Sequence, residues 1–223
     1  MKRNKIYALI PAKLNSKSIF QKNLKKIKNK TLVEIAIDEA KKVKIIDEIY
    51  LSSEDFKLKK ICEKKKIFFF KRKKIFSSKN ALASSVINEF IDKKKLEMND
   101  TIIYLQPTSP FRKAKHILQS IKKFKKNNYI TLISVKKNNL SIFKSLYLKL
   151  NSLNPVFNEN FMTMNRQSFP NTYLPNGAIY IFLVNKFKKS NKITHTKSLP
   201  YIMSEKDSLD IDNYSDLKRA RSF

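Results

Sequence analysis

Acids are scarce in this 223-residue chain, and their spacing is its first chemical signal. Between residues 101 and 204 the one acid is Glu159; then DSLDIDNYSD (207–216) carries four of the nine aspartates. Asp210 and Asp212 stand two apart, so in an extended segment both side chains point the same way. Two carboxylates that close repel each other unless a cation bridges them. Mg2+ is the hard divalent cation that takes one or two carboxylates together with phosphate oxygens. In a chain of net charge +30 the same pair could equally lie in a solvated loop beside lysines. The residues alone leave both readings open.

Suitable cations lie near the opposite end. IPAKLNSKSIFQKN (10–23) is a long segment with Lys13, Ser16, Lys17, Lys22 and Asn23. Lysines at a strand exit meet phosphate as point charges, and backbone N–H groups complete such a cradle. The segment lacks the glycines and the G-K-[ST] ending of a Walker loop, and an exposed basic loop is the other reading. In QPTSPFR (106–112), the Gln106 amide has the donor and acceptor capacity to read a base edge or a sugar hydroxyl; a proline-rich turn is the alternative. Gly177 is the only glycine. Its retention points to a backbone with positive φ or to a place with no room for a Cβ, unless Asn176-Gly177 is an ordinary turn. His116 and His195 are too far apart in sequence to suggest a metal pair. Cys62 falls on a helical pattern and reads as core rather than nucleophile.

Apolar β-rich runs alternating with helical patterns must position these groups. Strands are expected at 5–11, 48–53, 67–71, 101–107, 129–135 and 177–184. Thr31 to Glu34 reads as a capping box opening a helix to about Lys44, with Leu32, Ile35, Ala36 and Ala40 on one face. Further helices are expected at 55–65, 81–96 and 113–126, and a short one after Ser215. This rhythm predicts an α/β fold with a largely parallel sheet and helices on both faces, and a ligand at the carboxyl ends of the strands. The Asn-rich stretch from about 138 to 176, with Pro155, Pro170 and Pro175, breaks the rhythm. It suggests an extended hairpin serving as a lid or an oligomer contact within one domain spanning 1–223.

Composition narrows the classes. With 42% hydrophobic residues the chain can bury a core, which excludes a disordered protein. No run approaches 18 apolar residues, so no transmembrane helix is expected. The apolar run Ile6 to Ala12 is short for a signal peptide and reads as a buried first strand. One cysteine excludes an intramolecular disulfide framework and a zinc cluster. The charge of +30 taken alone suggests a basic nucleic-acid or membrane-surface binder. The basic residues, however, are 42 Lys against 6 Arg, spread evenly, in a chain poor in Gly and Trp. That pattern fits A/T-rich codon usage better than a base reader, which leans on Arg.

Four segments together resemble the acylneuraminate cytidylyltransferases: IPAKLNSKSI with KNL, YLQPTSPFR, NGAIYI, and YIMSEKDSLDIDNYSDL. They occur in that family's order and at about its spacing. The resemblance implies a Rossmann-like nucleotidyltransferase fold and a homodimer in which 138–176 reaches the partner's site. It implies a cytoplasmic enzyme joining CTP to a nonulosonic acid, with Mg2+, to give the CMP-sugar and pyrophosphate for surface glycans. A related acceptor such as 3-deoxy-manno-octulosonate is the alternative; no specific nucleic acid and no membrane insertion are implied. By matching position, Lys13, Ser16, Lys17 and Lys22 would hold the triphosphate, with Lys13 where the family usually has Arg. Asn23 and Arg72 would touch the nucleotide, and Gln106 the sugar or nucleotide. Lys144, Arg166 and Tyr180 would face the acyl sugar. Asp210 and Asp212 would hold Mg2+, one of them also drawing the proton from the attacking hydroxyl. Asn15 stands where many members have Gly, and Lys79 takes about the position of a family Asp.

Overall fold

Side-chain alternation in the first strand, β1 (Ile6–Pro11), explains the architecture. Ile6, Ala8 and Ile10 enter one apolar cluster, and Tyr7 and Leu9 enter another. Successive strand side chains point to opposite faces, so a strand apolar on both faces must be covered from both sides. In the computed structural model, which describes residues 3–14, 16, 18–78, 81–127, 129–138 and 142–223, this is what the helices do.

The chain runs through a two-residue hairpin, β2 (Lys26–Ile27) and β3 (Lys30–Thr31), into α1 (Leu32–Lys41) and β4 (Glu48–Ser53). It continues through α2 (Lys59–Lys65), β5 (Phe68–Lys71), α3 (Ala83–Lys94), β6 (Thr101–Tyr104), α4 (Ala114–Lys126) and β7 (Thr131–Asn138). A second hairpin, β8 (Leu146–Lys149) and β9 (Ser152–Pro155), precedes β10 (Thr172–Leu183), α5 (Val184–Ser190), β11 (Leu199–Ile202) and α6 (Tyr214–Arg221). Seven strands form the central sheet in the order β11-β7-β10-β6-β1-β4-β5. Helices α1, α2 and α4 bury their apolar stripes on the Ile6 face, and α3 and α5 on the Tyr7 face.

The expected α/β sheet is therefore present, with one exception to its parallel sense: β10 runs antiparallel to both β6 and β7. The capping box at the start of α1 is formed as expected; the Thr31 hydroxyl accepts from the Glu34 N–H, and the Glu34 carboxylate accepts from the Thr31 N–H at 2.9 Å. Helix α1 ends at Lys41, a turn short of the expected Lys44, and buries Val33 and Ile37 as well as Leu32, Ala36 and Ala40. Besides the small β2–β3 hairpin, α5 and β11 are not among the expected elements. Helix α5 is short and lysine-rich, and β11 contains Pro200, so neither has a clear period. The sheet supplies what their sequences lack: Phe187 packs into the core, and β11 pairs in parallel with β7.

Between β7 and β10 the chain forms an arm. Phe143 packs against Phe157, Phe161 and Phe169 with ring centroids 5.2–5.5 Å apart. Around that small aromatic centre, β8 is exposed along its whole length, and Leu148, Leu150 and Leu153 are 66–93% accessible.

Cys62 lies on α2 inside the larger core cluster, and burial pushes its thiol up to about 12. The thiolate is the reactive species, so this cysteine should be inert at neutral pH. A disulfide reagent at pH 8 should label the native protein at a small fraction of the rate seen in urea. Labelling at equal rates would contradict this burial.

Candidate active site

The carboxyl ends of β1, β5 and β6 open onto a cavity of about 570 Å³. Lys13, Ser16, Lys22, Asn23, Arg72, Gln106, Asp210 and Asp212 all line it, although they come from four separate stretches of sequence. Lys17, Asn15 and Lys79 lie outside the described residues.

The basic wall follows β1. The Asn23 amide is buried and donates to the Lys13 carbonyl at 2.8 Å, which closes the loop on itself. Lys22 crosses to the acidic wall: its ammonium donates to the Ile211 carbonyl at 2.8 Å and lies 3.3 Å from Asp212 Oδ1. The lysine thus ties the loop after β1 to a segment almost 190 residues later.

The acidic wall is pinned to the loop after β6 by the Ile211 N–H, which donates to the Thr108 carbonyl at 2.9 Å. Ile211 points into a small core cluster with Ile19, Leu32 and Leu217. Its neighbours on either side, Asp210 and Asp212, therefore face the cavity, as the two-residue spacing predicts. The segment then enters α6 through a second capping box, between Asn213 and Asp216. Burial raises the Asp210 carboxyl above the usual carboxylate range, with the Asp212 charge adding to it, while Thr108 and Lys22 pull it back. Asp210 Oδ1 is buried and takes no hydrogen bond among the described residues.

Gly177 sits where β10 loses register with β7, between Pro175 and Tyr180. Its φ is +72°, and a Cβ there would lie 2.6 Å from Gln106 Oε1 and 3.2 Å from Asp210 Oδ2. Both reasons for retaining a glycine apply at once, and the Asn176-Gly177 turn is instead a bulge inside a strand. Asn176 is buried beneath it: its amide oxygen accepts from Ser134 Oγ at 2.6 Å, and its amide nitrogen donates to Ser208 Oγ at 2.9 Å.

Two supporting groups lie in the YLQPTSPFR segment, but their types alone assign them no role. Arg112 is wholly buried, and its Nη1 donates to the Gln106 carbonyl at 2.8 Å and the Ala178 carbonyl at 2.9 Å. Burial lowers its guanidinium to about 10, with Glu39 and Asp210 opposing, so it stays charged at neutral pH. It clamps the chain after β6 to the bulge of β10 beside the cavity. Tyr104, at the end of β6, lines the cavity. A pattern of alternating apolar residues marks such a tyrosine only as core.

The three residues expected at the sugar do not line this cavity. Tyr180 is buried against Tyr104, with ring centroids 6.4 Å apart, and does not line the cavity. Lys144 and Arg166 are on the arm, where the Lys144 ammonium lies 5.9 Å from the Phe169 ring centre and Arg166 is exposed.

The family model described as Cytidylyltransferase matches residues 7–221. An N-acylneuraminate cytidylyltransferase of Escherichia coli is 29% identical over 219 residues, which are 98% of this chain and 52% of that protein. The chain thus spans about half the length of the first curated relatives it matches. A pseudaminic acid cytidylyltransferase of Campylobacter jejuni is 26% identical over 216 residues, covering 96% of this chain and 93% of the relative. Among solved structures, a CMP:2-keto-3-deoxy-manno-octonic acid synthetase complexed with CTP superposes with a TM-score of 0.74 at 11% identity, over 98% of each chain. A 4-diphosphocytidyl-2C-methyl-D-erythritol synthase gives 0.70 at 12% identity, over 100% of this chain and 99% of that one.

Proposed function

Since the chain belongs to the cytidylyltransferase family, we propose that it activates a nonulosonic, sialic-type acid with CTP, releasing pyrophosphate and the CMP-sugar for surface glycan biosynthesis. The observation that carries the reading is the single cavity with lysines on one wall and a paired carboxylate on the other. A triphosphate needs the first; the second suits the cation that accompanies it. The sugar class is supported by the relatives that align along nearly the whole chain. The 3-deoxy-manno-octulosonate reading draws on a neighbour at 11% identity, which speaks for the fold alone.

In this reading Lys13, Ser16 and Lys22, with Lys17, hold the triphosphate. Asn23 and Arg72 form the nucleotide wall, and Gln106 orients the sugar or nucleotide. Asp210 and Asp212 fit a divalent cation: Asp210 Oδ1 is buried without a hydrogen-bond partner among the described residues, and the Asp212 charge adds to the cost of ionising Asp210. No group of three or more His, Cys, Asp or Glu gathers among the described residues, so water and phosphate oxygens would complete the shell. Mg2+ bound there would neutralise charge building on the phosphates. The anomeric hydroxyl of the acceptor attacks the α-phosphorus as the bond to the pyrophosphate oxygen breaks opposite it. A carboxylate of the pair takes the hydroxyl proton, and the Lys22 ammonium stabilises the negative charge. Catalysis is then chiefly alignment and charge stabilisation.

The exposed leucines of the arm fit a homodimer, with Lys144 and Arg166 carried toward the partner's site. No helix among the described residues is long and apolar enough to cross a membrane, and a cytoplasmic location fits the use of CTP.

The test is pyrophosphate release with CTP and Mg2+ against N-acetylneuraminic, legionaminic, pseudaminic and 3-deoxy-manno-octulosonic acids. Turnover is expected with one of the first three. Turnover with the fourth alone would move the acceptor to the other class, and silence together with no CTP binding would overturn the reading.

A further inference from the structure

Three neighbouring parallel strands, β1, β4 and β5, end side by side, the outer two at the cavity and β4 behind its wall. Their ladder stops at two bonds: the Ala12 N–H to the Ser52 carbonyl at 2.9 Å, and the Arg72 N–H to the Ser53 carbonyl at 3.1 Å. Beyond those bonds the loops that carry Lys13 and Ser16 on one side, and Arg72, Phe76 and Ser78 on the other, have left the sheet. Glu54 is the next residue of the middle strand's chain, and its carboxylate takes over. Oε1 accepts the Leu14 N–H at 3.0 Å. Oε2 accepts Arg72 Nη2 at 2.8 Å, Arg72 Nε at 3.2 Å and the Ser77 hydroxyl at 2.6 Å. Glu54 does not line the nucleotide cavity; it stands behind the wall those loops form.

The pair is shielded, with side-chain accessibilities of 4% for Arg72 and 13% for Glu54. Burial alone would raise the Glu54 carboxyl, yet the bonds from Ser77, Arg72 and Leu14 together hold it below its ordinary value, so it is ionised at neutral pH. A buried guanidinium that loses its carboxylate has no water to turn to, and it must move. Arg72 gives Nη2 to Glu54 and shares Nε between Glu54 and the Ser77 hydroxyl, which lies 2.8 Å from it, while the residue itself lines the cavity.

We infer that Glu54 is a positioning residue for nucleotide binding, which fixes the Arg72 guanidinium and the loop after β1 in one register by a single carboxylate. The inference rests on the CTP reading of the cavity. Nothing in the sequence around SSED (52–55) marks Glu54 apart from its neighbour Asp55, which merely caps the following turn.

The decisive variant is Glu54→Gln, which keeps an oxygen for Leu14 but removes the charge that holds Arg72. CTP affinity is measured by calorimetry without acceptor, alongside the melting temperature and the split between kcat and KM. The expected result is CTP affinity weaker by roughly ten- to a hundredfold, the range for losing a group that orients a ligand-binding residue, with kcat changed far less. Adding Glu54→Gln to Arg72→Gln should then cost little more than Arg72→Gln alone, because one acts through the other. Unchanged CTP affinity in a folded Glu54→Gln, or fully additive losses in the double variant, would overturn the inference. Should Glu54→Gln not fold, Ser77→Ala leaves the bonds from Arg72 and Leu14 to Glu54 and removes only the hydroxyl, which donates to Glu54 and accepts from Arg72 Nε at 2.8 Å; it should weaken CTP severalfold, and an unchanged affinity there would count against the proposal. Wild-type protein that binds no CTP would remove the nucleotide reading itself, and this inference with it.

Discussion

Asp212→Asn should remove turnover, by on the order of a thousandfold or more, and leave the fold intact. The carboxylate is exposed on the cavity side, its ion pair with Lys22 spans 3.3 Å, and 76% of its side chain is accessible. Such an exposed pair contributes little to stability. Its effect on Asp210 has the opposite sign. Burial first, and then the Asp212 charge, raise the Asp210 carboxyl. A carboxyl raised in the folded state loses stability as pH climbs from its unfolded value through its folded one. Removing the Asp212 charge lowers the folded value and narrows that window. The metal-free variant should therefore melt at or slightly above the wild-type temperature at pH 7. Loss of Mg2+-dependent pyrophosphate release without loss of melting temperature is the combination to look for. A variant turning over at the wild-type rate would take Asp212 out of the chemistry.

Gly177→Ala is the second. Two costs coincide there: an L residue at φ +72° costs about 1 kcal/mol, and the new methyl meets Gln106 Oε1 at 2.6 Å. The Gln106 side chain can swing away, so stability falls by only about 1–2 kcal/mol. What is lost is the placement of an amide that faces the cavity beside Asp210. Turnover should fall by tens- to a thousandfold, the range for displacing one positioned polar group. Steady-state kinetics beside urea unfolding separates the two costs. A variant that is destabilised yet kinetically normal would mean that Gln106 takes no part.

Chemical type and local period made much of this legible in advance. The capping box at Thr31, the strand EIYLSS and the alternation through Tyr7 and Ile102 are local facts, and the fold honours them. Asp210 and Asp212 flank an isoleucine that must be buried, so their common direction could be read from three letters. The lone glycine stood out against the composition. Glu54 carried no such mark, and Arg112, although it closes YLQPTSPFR, carried no role of its own, because an arginine or glutamate in sequence reads as surface, and only a fold can bring it carbonyls or a partner cation. Tyr180 lies on the expected strand, yet its side chain packs into the core on Tyr104, and it is Tyr104 that reaches the cavity.

Local sequence accounts for the alternation of strands and helices, the polarity of each strand end and the residue types able to meet a triphosphate and a cation. Those depend on periods of two and 3.6 residues and on side-chain chemistry, both of which are local. The antiparallel run of β10, which brings Gly177 level with Gln106, arises from long-range packing. That packing also set Lys22 against Asp212 and stood Glu54 between two loops. Such pairings join residues up to 190 positions apart; they form because burying both faces of the sheet forces those strand ends together, and no local pattern encodes that meeting.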